Sequence, residues 1–497
     1  MLNRRDLIKA SAGAVVAGGV FPSHHARAQD PVRIRRDVDE MDLDDPDLKT
    51  LRTFVSTMRE YPQQSLRSWT RFADVHGTPA AFNLCPHGNW YFLPWHRAYL
   101  EMYENAVRQV MSRPEFALPY WNWSLSRRVP RAFSDPKFDK RPNPLYSPFA
   151  GAVNTELRQN NLRLADSLVG TTFVERVSQA PFLVQFGGSQ PVDDTGRETV
   201  LQNSLDQKWQ RFKGAASELE SGGHNSIHRE TLGFMRTPAS AQDPLFLAHH
   251  ANVDRIWVNW IRSGGENSDN PLWLDMVFEN HFINTDEEHY SRKVRDLLDT
   301  RALGYVYDDD NRPVRRTVRR AASTATAEQF AAMYNPADPG TAVARSRATG
   351  DYVASNLTPL SLPLKMPVGK RLDALRGMAA AQGEEQALLM LRQVKMGPDV
   401  AAINLFINLP DATPTTSVDD PHFVTRISFV GSAHGHGDAD DGHHCYAVDL
   451  TPTLNRLSKS GPMKPGDFTL QVVPLLAPGA EMAEDKIELK IVDVGVL

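Results

Sequence analysis

Residues 87–104 read HGNWYFLPWHRAYLEMYE. His87 and His96 bracket eight residues, five of them aromatic or proline. A buried imidazole has two ring nitrogens to satisfy, so two histidines against so apolar a wall require partners. Pro94 and Trp95 lead into apolar residues spaced i, i+3, i+4, which predicts a helix with His96 in its first turn.

Working outward, LRTFVSTMREY (51–61) and ANVDRIWVNWIR (251–262) carry the same helical spacing, separated by Pro- and Gly-rich loops. Residues 29–310 are therefore expected to form a mainly α core. Residues 311–380 are polar, small and weakly periodic, which suggests a linker or lid. From 381 to 497 the pattern changes again: LLMLRQVKM, VAAINLFINL, HFVTRISFVG, HCYAVDL, DFTLQVVPLL and KIELKIVDVGVL are β-rich runs with turn residues between them. Their spacing predicts a C-terminal β-sandwich.

The bulk numbers exclude several classes. The chain has 497 residues, 41% hydrophobic and 23% charged, the composition of a globular protein. Its net charge of −5 gives no electrostatic case for nucleic acid. Two cysteines, Cys85 and Cys445, make neither a disulfide framework nor a Cys-based zinc site. The first 28 residues read as a signal peptide: Arg4 and Arg5, a short apolar run from Ala10 to Phe21, then Ala26-Arg27-Ala28. The arginine pair resembles a bacterial twin-arginine signal, implying export to the periplasm or beyond, with no membrane attachment after cleavage.

Nine histidines between residues 76 and 289 fall outside the signal and the β-rich region, and two groups stand out. In GGHNSIHRE, His224 and His228 sit at i, i+4, on one helix face, where two imidazoles can chelate one ion. In DPLFLAHHANVDRIWVNW, His249 and His250 are adjacent and point about 100° apart, so one of the two can join them, and the spacing does not say which. Asp254, four residues after His250, is placed to accept an imidazole N–H and fix its tautomer. The other group is His76, His87 and His96. Two all-histidine sites suit copper, zinc, iron or nickel and argue against a di-iron carboxylate centre, which needs Glu-x-x-His pairs.

These residues carry a resemblance. HGNWYFLPWHRAYLEMYE and HNSIH…DPLFLAHHANVDRIW closely resemble the two copper-binding signatures of the tyrosinase and polyphenol oxidase family. DLLDTRALGYVYDDD is similar to the tyrosine motif of plant polyphenol oxidases, and FVGSAHGHGD…LTPTLNRL…FTLQVVPL to their C-terminal shielding domain. The resemblance implies that His76, His87 and His96 hold one copper and His224, His228 and His250 the other, and that the pair binds O2. It implies oxidation of o-diphenols to o-quinones, preceded in some members by ortho-hydroxylation of monophenols. A monophenol ionises near pH 10 and needs a base. Glu220 with Asn225 matches the pair that orients a water for this in the family; Glu218 is a weaker candidate. Thr237 stands at the position that often gates the second copper, with Met235 and Arg236 as substitutes, and Arg229 could steer a substrate carboxylate. Cys85 matches a cysteine that forms a thioether to the His87 imidazole in fungal members; the alternatives are a free thiol or a Cys85–Cys445 disulfide. The cluster HGHGDADDGHHCY (434–446), with His443 and His444, is either a further metal site or a solvated loop.

Three functions compete on these grounds: a tyrosinase, a catechol or o-aminophenol oxidase, and a hemocyanin-like oxygen carrier. The expected partners are small phenols, with a homo-oligomer allowed for. A zinc hydrolase lacks a carboxylate placed as in H-E-x-x-H. The β-rich region is expected to keep the enzyme latent.

Overall fold

The computed structural model describes residues 32–79, 82–147, 164–177, 215–310, 344–365, 387–397, 399–429, 444–460, 467–476 and 486–496. The signal segment, residues 311–343 and most of the 434–446 cluster lie outside them.

The long apolar periodicities form helices. Helix Pro46–Glu60 starts at Asp45, whose carboxylate accepts from Asp47 N, with Pro46 in the first turn. Helix Trp69–Asp74 is capped by Ser68, which accepts from Arg71 N. The central helix Phe92–Val110 is buried over most of its length. It begins two residues before Pro94, so His96 lies one turn deeper than expected. Pro94 is tolerated because the first-turn N–H it lacks has no intrahelical acceptor. Helix Leu245–Arg262 packs on this central helix.

The C-terminal region holds two sheets. One runs in the order Ala215–Ala216, His444–Asp449, Ala387–Met396, Lys486–Val496, Ala344–Ser355. The other runs Phe423–Ser428, Val400–Ile407, Asp467–Leu476, Leu360–Lys365. Strand period explains the unbroken apolar run LLML: Leu389 and Leu391 join an apolar cluster built from both sheets, while Leu388 and Met390 join the core of the helical region.

Two features depart from the sequence expectation. The stretch 311–380 contains two strands of these sheets, Ala344–Ser355 and Leu360–Lys365, so it is not wholly a linker. Both lie at sheet edges, where one side of the ladder is unpaired and polar side chains are tolerated. That is why RSRATGDY carries no strand-like apolar pattern. In addition, Thr451–Ser460 is a helix between strands. Among the described residues, no helix is long and apolar enough to cross a membrane.

Candidate metal centre

Two groups of side chains, all buried except the half-buried His87, gather donor atoms within 4.8 Å of one another: His76, Cys85, His87 and His96, and His224, His228, His249 and His250. His76 follows helix Trp69–Asp74 and His87 sits in the loop before the central helix. His224 closes a π-helical turn, Leu219–His224, that runs into helix Asn225–Thr231 carrying His228. The groups face each other where His96 and His250 stack, centroids 4.4 Å apart and planes 11° apart.

Four imidazoles are fixed by an oxygen on Nδ1. His96 Nδ1 donates to Phe92 O at 2.7 Å and His76 Nδ1 to Pro238 O at 2.8 Å. His228 Nδ1 donates to Met235 O at 2.7 Å and His224 Nδ1 to Asn225 Oδ1 at 2.8 Å. Each bond places the proton on Nδ1 and leaves the lone pair on Nε2, the form a metal requires. The short segment Gly233–Pro238 thus orients one ligand in each group.

His250 Nε2 lies 3.2 Å from His224 Nε2 and 3.1 Å from His228 Nε2. One proton on His250 can bridge to only one of these lone pairs; a cation satisfies all three. Of the adjacent pair His249 and His250, this convergence favours His250 as the third donor, while His249 keeps a donor atom within 4.8 Å of the same group. The His249 ring instead lies parallel to His224, centroids 5.2 Å apart. Burial lowers the pKa of every one of these imidazoles, His76 to about 3 and His228 to about 4, so all are neutral at pH 7. Buried and unprotonated, with His76 Nε2 lacking any hydrogen-bond partner, the donor set fits two metal ions.

Glu220 is buried beside the first group. Its Oε1 accepts from Gly88 N at 2.7 Å, and its Oε2 has no partner. Gly88 has φ +69°, a conformation that suits glycine and aims its N–H across the site. Burial raises the Glu220 pKa to about 8, opposed by the Gly88 bond. Glu218 is also buried. Asn225 is held on two sides, by His224 and by Ser428 of the C-terminal sheets.

Other expected roles change. Among the described residues, Asp254 hydrogen-bonds to no imidazole. It accepts from Arg97 Nε at 2.6 Å, Tyr307 Oη at 2.7 Å, Tyr305 Oη at 2.8 Å and Arg35 at 3.3 Å. One turn beyond His250, it faces away from the metal groups toward the paired strands Arg33–Arg35 and Tyr305–Tyr307. Arg229 is buried and donates to Glu230 Oε1 at 2.6 Å, so its charge is already engaged. Met235 is buried, and Thr237 is half-buried with its hydroxyl on Phe234 O. The Cys85–Cys445 disulfide is not formed. Cys85 Sγ lies 3.2 Å from His96 Nε2 and 3.4 Å from His87 Nδ1.

Phe173 was not foreseen. A Cβ on Gly223 would sit 2.5 Å from its ring, so the π-turn needs glycine there. Gly223→Ala is expected to destabilise the metal-free protein by about 1–3 kcal/mol through overpacking and to weaken metal retention by the second group. Adding Phe173→Leu should restore both. Denaturant midpoints and metal content check this; an undisturbed single variant would contradict it.

The model of the common central domain of tyrosinase matches residues 66–263, and that of the polyphenol oxidase middle domain matches residues 267–321. The chain is 29% identical over 455 residues to a chloroplastic polyphenol oxidase of Malus domestica, covering 81% of this chain and 69% of that protein. It is 27% identical over 481 residues to tyrosinase HcTyr1 of Hahella sp. (strain CCB-MM4), covering 88% and 91%. Its fold is similar to that of latent apple tyrosinase, with a TM-score of 0.64 at 20% identity over 94% of this chain and 97% of that one.

Proposed function

Because the chain belongs to the tyrosinase and polyphenol oxidase family, we propose that it oxidises small phenols with dioxygen at a pair of copper ions. The observation that carries this reading is the convergence of three Nε2 atoms, from His224, His228 and His250, opposite a second group of His76, His87 and His96. When bound, the ions supply the dioxygen chemistry and accept the substrate's electrons. The chain's own residues orient the ligands, exclude water and move a proton.

We assign Glu220 as the base that takes the proton of a monophenol, directly or through a water shared with Asn225. The Gly88 N–H holds one carboxylate oxygen and leaves the other free to accept. The base works only when ionised, so hydroxylation should rise with pH through the Glu220 pKa; bound cations favour ionisation and move that limb below 8. Glu220→Gln is expected to lower monophenol hydroxylation about 100-fold and abolish its rising limb. Catechol oxidation is expected to fall far less, staying within about threefold. Parallel pH–rate profiles on a monophenol and its catechol check this. Equal losses on both substrates would remove the assignment and leave a diphenol oxidase.

The C-terminal sheets, which we read as a sandwich, are proposed to hold the enzyme latent. A protease cut within 311–343 separates them from the helical region without severing either edge strand. Catechol oxidation by the copper-loaded chain should rise at least about tenfold after such a cut; an unchanged rate would contradict latency. The twin-arginine segment supports export of the folded chain.

A further inference from the structure

We propose that Ser428 is a positioning residue for the ligand His224, so that docking of the C-terminal sheets and binding of metal are coupled. The inference rests on His224 being a metal ligand and is independent of whether monophenols are hydroxylated.

Ser428 ends the edge strand Phe423–Ser428 and is fully buried. Asn225 Nδ2 donates to its carbonyl oxygen at 2.8 Å, across 203 residues of sequence. A carbonyl oxygen can only accept, so the amide NH2 must face Ser428. The amide oxygen then faces His224 Nδ1 at 2.8 Å, and it too can only accept. His224 must therefore carry its proton on Nδ1 and its lone pair on Nε2, the atom that meets His250 Nε2 at 3.2 Å. One backbone carbonyl in the sheets thus sets the tautomer of an imidazole in the helical region.

The other three fixed ligands take their orientation from the helical region itself, through Phe92 O, Met235 O and Pro238 O. His224 differs from them in depending on the sheets. The same strand lies along the π-turn: Arg426 O is 3.8 Å from where a Cβ on Gly222 would sit, and Ser226 Oγ meets Ser428 Oγ at 3.0 Å. With the strand undocked, nothing on Asn225's other side dictates which way the amide points. A flipped amide would present NH2 to Nδ1 and favour the tautomer whose Nε2 is protonated and cannot bind metal. Linkage makes the effect mutual: a metal that selects the Nε2 lone pair tightens strand docking by the same factor.

The test is hydrogen exchange on the full-length chain with and without copper. In the wild type, copper should slow exchange of amides 423–428 by about fivefold or more. Asn225→Asp keeps an acceptor toward His224 but sets an oxygen against Ser428 O; it should still bind copper, and copper should no longer slow exchange in that strand. Ser226→Ala removes only the hydroxyl pair and should keep the copper response. The proposal is overturned if Asn225→Asp responds like the wild type, or if the wild type binds copper with no change in the strand. Should the wild type bind no copper, the ligand reading fails separately. Nitrogen NMR of His224 in the metal-free chain then decides: Nδ1–H in the wild type with a mixed tautomer in Asn225→Leu supports the relay, and identical tautomers overturn it.

Discussion

His250→Ala is expected to cut bound copper from two ions per chain to one and to lower phenol oxidation at least about 1,000-fold. Its Nε2 lies 3.1 Å from His228 Nε2 and 3.2 Å from His224 Nε2, the position proposed for the third ligand. Alanine leaves His224 and His228 with only the adjacent His249 as a further imidazole in the group. The informative control is the adjacent His249→Ala. His249 is equally buried, but its ring stacks on His224, and no nitrogen of it makes the 3.1–3.2 Å approaches that His250 Nε2 makes. That variant should keep two ions, with a modest loss from the cavity it leaves. Metal analysis of the two purified variants separates the roles, and reversal of the pattern would assign the ligand to His249.

The second large effect concerns stability. Asp254→Ala is expected to destabilise the metal-free protein by about 3–5 kcal/mol. The carboxylate sits between two buried guanidinium groups, Arg35 and Arg97, and accepts both Tyr305 and Tyr307 hydroxyls. Those cations hold it below the ordinary aspartate pKa against the opposing effect of burial. Removing it leaves Arg97 without its carboxylate partner, while Arg35 keeps Glu104 at 3.0 Å. Arg35 also lies 3.6 Å over the Tyr305 ring, and Arg97 3.8 Å over Trp257, so neither can swing to solvent without unpacking the core. Urea unfolding of the metal-free chain measures the loss. A shift under about 1 kcal/mol would show the network to be dispensable.

Much of the site was legible because its chemistry is local. His224 and His228 share a helix face by spacing alone, and His96 lies in an amphipathic run. What was not legible comes from long-range contacts. The Asp254 reading failed because helix spacing places a residue on a face without saying what lies opposite it. Here the partners are Arg35, 219 residues away, and Tyr305 and Tyr307. The Gly88 N–H on Glu220 depends on a glycine conformation that sequence marks only by residue type. The same holds for the fold. The central strands announce themselves through apolar runs buried on both faces, whereas Ala344–Ser355 is polar because it is an edge. The choice of His250 over His249 comes from the resemblance, because residue spacing leaves the adjacent pair equivalent.

The central claim is that two copper ions act on phenols. The direct measurement is metal content and oxygen uptake with a catechol, on full-length protein cut within 311–343, before chelation, after chelation and after copper is returned. Two copper ions per chain are expected, with uptake that disappears on chelation and returns with copper but not with zinc. A copper-loaded chain with two ions and no uptake on any phenol, or uptake that survives complete copper removal, would contradict it.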